Sequence, residues 1–214
     1  MKAINAVPAS RYSVFFAIAA AGCAVDLATK AWMFDWLGMP PGPSGVACAV
    51  GRDECPVAGS AAMPAAGRTE WLWNEVLGFQ SSLNEGALFG MGQGMVLFFA
   101  AVSIGALIGI LYWLFWTGAA RDWLLTVSLG CISAGILGNL YDRLGLPGLA
   151  WVDHPRHALG ERVHAVRDFV LFKIGSYSWP NFNLADSLLV CGAAILLWHA
   201  LRPHKEAAEA ESRS

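Results

Sequence analysis

The stretch MVLFFAAVSIGALIGILYWLFW, Met95–Trp116, decides what kind of molecule this is. No charged side chain occurs from Gly86 to Ala120, and a helix needs about 20 apolar residues to cross a bilayer. Working outward, Trp123–Tyr141 is also uncharged, and Tyr12–Trp36 is apolar apart from Asp26, Lys30 and Asp35. A last apolar run follows Asp186 to Leu201 and is long enough to span when counted back to Phe182. The expectation is an all-α polytopic membrane protein with spans at 12–35, 94–116, 122–141 and 182–201, in a single domain over 1–205. Composition agrees: 56% of the 214 residues are hydrophobic and 14% charged, against about 25% charged in soluble domains. Core helices of soluble proteins rarely run so far without a charge. A cleaved signal peptide is excluded for the first segment by its length, its Asp26 and Lys30, and the spans that follow.

Basic residues set the expected orientation. Lys2 and Arg11 precede the first span, Arg121 lies between the second and third, and Arg202, Lys205 and Arg213 follow the fourth. Positive-inside bias therefore places both termini in the cytoplasm. Loops 36–93 and 142–181 then lie outside, although Arg143, Arg156, Arg162, Arg167 and Lys173 make the second more basic than the rule prefers.

Residues 38–69 are rich in Pro, Gly and Ala and read as irregular backbone. Trp71–Gln80 is apolar and aromatic but too short to span, which suits a small β or interfacial element. Cys48 and Cys55 are a possible disulfide on the outer side, while Cys23, Cys131 and Cys191 in the spans read as packing residues. His154, His157 and His164, with Asp153, match no established ligand spacing and read as solvated loop histidines. No metal, cofactor or nucleic-acid partner is expected. Residues 206–214 read as a polar tail. Small residues recur at Ala101, Gly105 and Gly109 and at Gly130, Ala134 and Gly138, giving each span a groove for close helix packing.

Four polar groups need a physical account. Asp26 and Lys30 share a helical face. Gly138-Asn139-Leu140-Tyr141-Asp142-Arg143 ends the third span, and Asn84-Glu85-Gly86 precedes the second at a turn-like site. Asp168 stands with Asn183 and Asp186, which are one helical turn apart. All four groups fall at the outer ends of spans or in outer loops, so one site near that interface is the economical reading. Charges there are costly unless paired, hydrated or used.

With no Ser–His pair, activated Cys or metal signature in view, two carboxylates sharing one proton can hydrolyse a peptide. The ionised member takes a proton from attacking water, and the protonated member donates to the carbonyl oxygen. Asp186, in the first turn of its helix, is favoured as the anion by the dipole. Asp168, beside Phe169, is the better proton holder, with Arg167 arguing the other way.

Taken in order, Asp26-Leu27-Ala28-Thr29-Lys30, Asn84-Glu85-Gly86-Ala87-Leu88-Phe89, Gly138-Asn139-Leu140-Tyr141-Asp142-Arg143, Asp168-Phe169 and Phe182-Asn183-Leu184-Ala185-Asp186-Ser187 closely resemble the bacterial lipoprotein signal peptidase (signal peptidase II) family. The resemblance runs from about Tyr12 to Leu201. It implies a four-helix aspartic peptidase of the bacterial inner membrane that cuts prolipoproteins before a diacylglyceryl-modified cysteine, and that globomycin-like cyclic peptides inhibit. Asp168 and Asp186 would be the catalytic pair. Asn183, Asn139 and Arg143 would orient substrate or hold the pair, and Asn84, Asp26, Lys30, Asp142, Gly86 and Gly138 would support the site. Membrane lipids are the other expected partners, and a monomer is expected. The sequence departs from the family in the long link 144–167, in the extended first outer loop, and in Arg167 where the family prefers an apolar residue. A small transporter or proton-linked channel using the carboxylates, and a silent scaffold, remain the alternatives.

Overall fold

The structure, a computed structural model, describes residues 7–40, 46–49, 68–86 and 94–202, with backbone alone for 46–49 and 153. The Cys55 half of the possible disulfide, the Cys48 side chain and the tail 206–214 lie outside the described residues, as does most of the 38–69 stretch.

Helix α1 spans Ala9–Leu37, opened by Pro8 and ended at Gly38. At Gly38 φ is 81°, a backbone state that glycine adopts at least cost. Helix α2, Val96–Leu111, continues through a single π turn, Tyr112–Trp116, into the short link that carries Arg121. Helix α3, Trp123–Arg143, begins where the Asp122 carboxylate accepts from the amides of Leu124 and Leu125 at 2.8 and 3.1 Å. Helix α4 is Leu184–Leu201. Each of the four hydrophobic segments, counting the π turn with α2, is long and apolar enough to cross a membrane. The helices cover the four segments expected as spans, with ends displaced by up to three residues. Phe182 closes a strand and Asn183 caps the helix, so the fourth helix starts at Leu184 and not at 182.

Arg11 lies over the Trp123 ring at 4.8 Å, Tyr12 stacks on Phe115 at 4.2 Å, and His199 Nε2 meets Asp122 at 2.7 Å. These contacts gather the start of α1, the end of α2, the start of α3 and the end of α4 at one pole. Phe15, Leu114, Ala120, Leu125 and Leu129 fill that pole with apolar atoms. Tyr12, Trp116, Trp123 and Trp198 are exposed around it, as aromatic rings are at a membrane–water boundary.

The opposite pole carries more β structure than the single small element expected. Strands β2 (Glu70–Trp73), β3 (Leu77–Asn84), β5 (Val166–Ile174) and β6 (Tyr177–Phe182) form an antiparallel sheet in the order β2-β3-β5-β6. Strand β1 (Val46–Ala49) pairs with β4 (Leu149–Asp153), which belongs to the long link after α3. Met33, Phe34 and Leu37 of α1 pack with Leu83, Leu149, Trp151, Val163, Ala165 and Phe169. That core mounts the sheet and the link on the end of the bundle.

Helix α3 is the pillar. A Cβ built on Gly130 would contact Ile18 of α1, and one on Gly135 or Gly138 would overlap Ala185 of α4 or Asp26 of α1. The groove expected on α2 is different. Cβ atoms added at Gly105 and Gly109 would meet nothing within 4 Å, and Ala101 is exposed. The α2 stripe therefore packs against no described part of the chain.

Candidate active site

Lys30 sits fully buried at the sheet end of α1, donating to Asn139 Oδ1 at 2.9 Å and ion-paired with Asp26 Oδ2 at 2.8 Å and Asp142 Oδ2 at 3.1 Å. The ammonium thus has two carboxylates to balance its charge and an amide oxygen to accept from it. Asp26 also accepts from the amide of Ala185 through Oδ1 at 2.8 Å, which ties α1 to the first turn of α4. Asp142 accepts from the Arg167 side chain at 3.0 and 2.9 Å and from its amide at 3.1 Å.

That last pairing corrects the expectation that Arg167 would act on its neighbour Asp168. Successive residues of a strand point to opposite faces, so Arg167 turns toward Asp142 while Asp168 turns toward Asn183. The Arg167 role was missed in the sequence, and the signal was available in the strand alternation of Val166-Arg167-Asp168 once β5 was recognised.

Asp168 is 2% exposed and lies opposite Ser82 in the β3–β5 ladder, with Asn84 two residues along on the same face of β3. Asn84 Nδ2 donates to Asp168 Oδ2 at 3.2 Å, and its own Oδ1 accepts the Gly86 amide at 3.0 Å, a local turn. Asn183 Nδ2 donates to Asp168 Oδ1 at 2.6 Å and to Asn139 Oδ1 at 3.1 Å.

Asp186 is fixed by helix-start chemistry. Asn183 caps α4 and Asp186 stands at the third helical position. The Asp186 amide donates to Asn183 Oδ1 at 3.0 Å, and the Asn183 amide donates back to Asp186 Oδ2 at 3.2 Å. This reciprocal capping box accounts for the spacing between Asn183 and Asp186. Asp186 Oδ1 accepts from Asn139 Nδ2 at 2.8 Å. One asparagine, Asn183, thus holds both aspartates, and a second, Asn139, joins Asp186 to Lys30.

Burial raises the Asp168 carboxyl well above the ordinary carboxylate range, and the charge of Asp186 adds to the rise; hydrogen bonds from Asn183 and Asn84 oppose both. Arg143 reaches the Gly86 carbonyl at 3.4 Å and lies over the Phe99 ring at 5.5 Å. Gly138 is required by space, because a Cβ there would run into the Asp26 carboxylate. Every residue expected at the site is therefore at this pole. Arg143 and Gly86 belong to its rim, and Asp142 and Asp26 serve it through Lys30.

Two of the three loop histidines, His154 and His157, depart from the solvated reading, and His164 keeps to it. His157 puts Nε2 on Glu85 and Nδ1 on Glu161, the latter at 2.9 Å, and the His154 ring lies beside it, tilted by 42°. His164 is exposed and meets the Arg143 carbonyl. The register that brings the link back over Glu85 has no local sequence mark.

Four apolar helices, with a buried network of carboxylates, asparagines and cations at one end, define a polytopic membrane protein with a polar site at one pole. Comparison makes the class specific. The family model for signal peptidase (SPase) II matches residues 18–202, and the chain belongs to that family. A lipoprotein signal peptidase of Rhodopirellula baltica is 40% identical over 210 residues, 94% of this chain and 79% of the relative. One from Symbiobacterium thermophilum is 38% identical over 116 residues, 54% of this chain and 64% of the relative. Two solved structures of a bacterial membrane enzyme, obtained by the in meso method, superpose with TM-scores of 0.62 and 0.61 at 22% identity. They cover 88% and 90% of this chain and 88% and 95% of their own, a likeness of fold. Family membership makes this a membrane peptidase of prolipoprotein signal-peptide processing.

Proposed function

We propose that the protein is an aspartic endopeptidase in which Asp168 and Asp186 divide one proton, releasing the signal peptide just before a diacylglyceryl-modified cysteine. The observation that carries this reading is Asn183, whose side chain and amide hold one carboxylate each. Charge counting supports it. Asp26, Asp142, Asp168 and Asp186 face Lys30, Arg167 and Arg143, four carboxylates against three cations. Retaining one proton makes the cluster neutral, the state a desolvated site favours.

Asp168, raised by burial and by its neighbour's charge, carries that proton. Asp186, at a helix N-terminus that favours the anion, serves as base. Water attacks the scissile carbonyl carbon, gives a proton to Asp186, and the carbonyl oxygen takes the proton of Asp168. As the C–N bond breaks, the proton on Asp186 passes to the departing amine and the hydroxyl proton returns to Asp168, leaving acid, amine and the original dyad. Asn84, Asn139 and Asn183 keep the carboxyls in register, and Arg143 with Gly86 borders the bound chain.

The substrate reaches this site laterally. Its signal helix lies against the bundle, and each acyl CH₂ of the lipidated cysteine adds about 0.8 kcal/mol of membrane retention. Arg11, Arg121 and Arg202 at the apolar pole support an inner-membrane protein with both termini in the cytoplasm and the dyad near the outer face. A transport pathway would need polar groups continuing to the other pole, where the described core is mostly apolar and its buried hydroxyls, Thr126 and Ser128, are taken up by backbone carbonyls.

The test is release of signal peptide from a lipidated precursor by detergent-solubilised protein. Asp168→Asn and Asp186→Asn should each reduce cleavage by at least about 10³-fold with thermal unfolding retained. Substantial turnover by either variant ends the dyad reading.

A further inference from the structure

The link between α3 and β5 holds a cluster that the hydrolytic site does not use. Strand β4 and the bridge between Ala150 and Arg162 fold this segment back on itself, and Trp151, Val163 and Ala165 anchor it in the core. Its turn delivers His154 and His157 to Glu85, the residue between Asn84 and Gly86. One ligand atom from each of the three lies within 4.8 Å of the other two. The Glu85 side chain is 7% exposed and that of His157 is 21% exposed. The Trp151 indole lies against both imidazoles, with centroids 4.4 Å from His154 and 5.1 Å from His157.

Two imidazoles and one carboxylate are a donor set for Zn²⁺-class metals, whereas Mg²⁺ and Ca²⁺ take oxygen. Donor atoms around a tetrahedral zinc stand about 3.3 Å apart, so small ring movements admit an ion: His157 Nε2, now bonded directly to Glu85, moves slightly apart from it, and no ligand atom starts more than 4.8 Å from another. His157 also carries the outer partner that metal-bound histidines have. Its Nδ1 meets Glu161 Oε1 at 2.9 Å, and Glu161 is itself held by the Ala158 amide at 2.9 Å. With Nδ1–H donating to Glu161, Nε2 is the atom free to exchange its proton, which now goes to Glu85, for a metal ion.

An ion-pair cluster alone would need less. Arg156 and His157 already neutralise Glu85 in the metal-free chain, Arg156 through the second carboxylate oxygen. That pairing gives no reason for His154 to stand in the same cluster. Ligation by His154 surrenders one exposed hydrogen bond, from the Arg156 amide to Nδ1. Arg156, with its side chain 52% exposed, has room to move off Glu85.

The geometry points to a binding site for one Zn²⁺-class divalent ion, ligated by Glu85, His154 and His157, with water completing the shell. Such an ion is structural. It clasps the link to the turn whose Asn84 donates to Asp168 and whose Gly86 carbonyl meets Arg143. It takes no part in the hydrolysis and stands or falls independently of the dyad.

The experiment uses tag-free full-length protein in detergent, stripped with chelator and dialysed against Zn²⁺ at neutral pH. Bound metal is then counted per chain. One ion is expected, with a dissociation constant of about micromolar or tighter. Co²⁺ in its place should give the intense visible absorption of a four-coordinate ion. His154→Ala is the informative variant, because the Glu85–His157–Glu161 chain survives it. Its metal-free unfolding should match the parent, while Zn²⁺ affinity falls at least about 100-fold and Zn²⁺ no longer raises the unfolding temperature. Glu161→Gln should weaken binding by about tenfold. A parent that binds no Zn²⁺, or a His154→Ala/His157→Ala double variant that binds as the parent does, overturns the site.

Discussion

Helices α2 and α3 look alike as strings of letters and do opposite things. Each apolar segment has 21 residues, counting the π turn with α2, yet twelve residues of α3 are buried inside the protein against two, Ala100 and Leu114, for α2. Both carry a stripe of small residues. In α3 the stripe receives Ile18, Ala185 and Asp26; in α2 it receives nothing described. Lipid tails are as apolar as leucine, so hydrophobicity cannot choose which helix goes to the middle. What chooses α3 is its content of groups that lipid cannot satisfy: Thr126 and Ser128 bonded to backbone carbonyls, then Asn139 and Asp142 at the site.

Adding bulk to the pillar should break the enzyme most severely. Gly138→Leu drives a side chain into Asp26 and Ala185, the contact that fixes α1 to the start of α4. Displacing Asp186 by about an ångström costs roughly 100-fold in rate, and overpacking adds about 1–3 kcal/mol of destabilisation. Cleavage of a lipidated precursor measures the first and thermal unfolding the second. Near-normal turnover would mean that α3 is not the element that sets the carboxylates.

Next in size is Lys30→Met. It leaves Asp26 and Asp142 buried without their shared ammonium. Removing one partner from a buried ionic cluster costs about 3–5 kcal/mol. For a chain of this length that corresponds to a drop of roughly 6–20 °C in the unfolding midpoint. Adding Asp26→Asn to the same chain should recover part of the loss, since one orphan charge then disappears. If the double variant is less stable than Lys30→Met, the cluster is not held by charge pairing.

The contrast between helices also marks how far the letters could be read. Spans were legible because uninterrupted apolar runs have few other uses. Asp186 was legible with Asn183 because a helix cap imposes a spacing of three residues, which the structure realises as a capping box. The outward face of α2 was not legible, since its Gly105 and Gly109 have the same spacing as glycines that pack. Arg167 was misassigned because its partner Asp142 comes from another element, through a face that depends on where β5 begins. His157 was read as solvated because its partner Glu85 is reached only through the fold of a long link. Local chemistry leaves a local mark, whereas pairings between distant elements depend on register.

A smaller effect tests the sheet side of the site. Asn84→Ala removes one hydrogen bond to the Asp168 carboxyl, and an ordinary hydrogen bond contributes about 0.5–1.5 kcal/mol, so cleavage should fall by about two- to tenfold. The direction of the pH effect is the sharper reading. Burial and the Asp186 charge raise Asp168, while the Asn183 and Asn84 amides oppose the rise by supporting the anion. Without Asn84 the proton is held to higher pH. If Asp168 acts as the acid, the alkaline limb of kcat/KM therefore moves upward. A limb that moves downward would assign the essential acid to another group.

The smallest expected effect belongs to the helix with the open face. Gly105→Ala and Gly109→Ala add a methyl where nothing stands within 4 Å, and alanine is favoured over glycine in a helix by up to about 1 kcal/mol. Unfolding should stay level or rise by a few degrees at most, about 2–4 °C per kcal/mol, with cleavage within about twofold of the parent. The same substitution at Gly135 would meet Ala185 and Leu189 at once, so the pair of experiments isolates packing from composition. Loss of activity or stability in Gly105→Ala would show that another surface covers α2 in the membrane. Its small residues would then be used as those of α3 are, against a partner outside this chain's described fold.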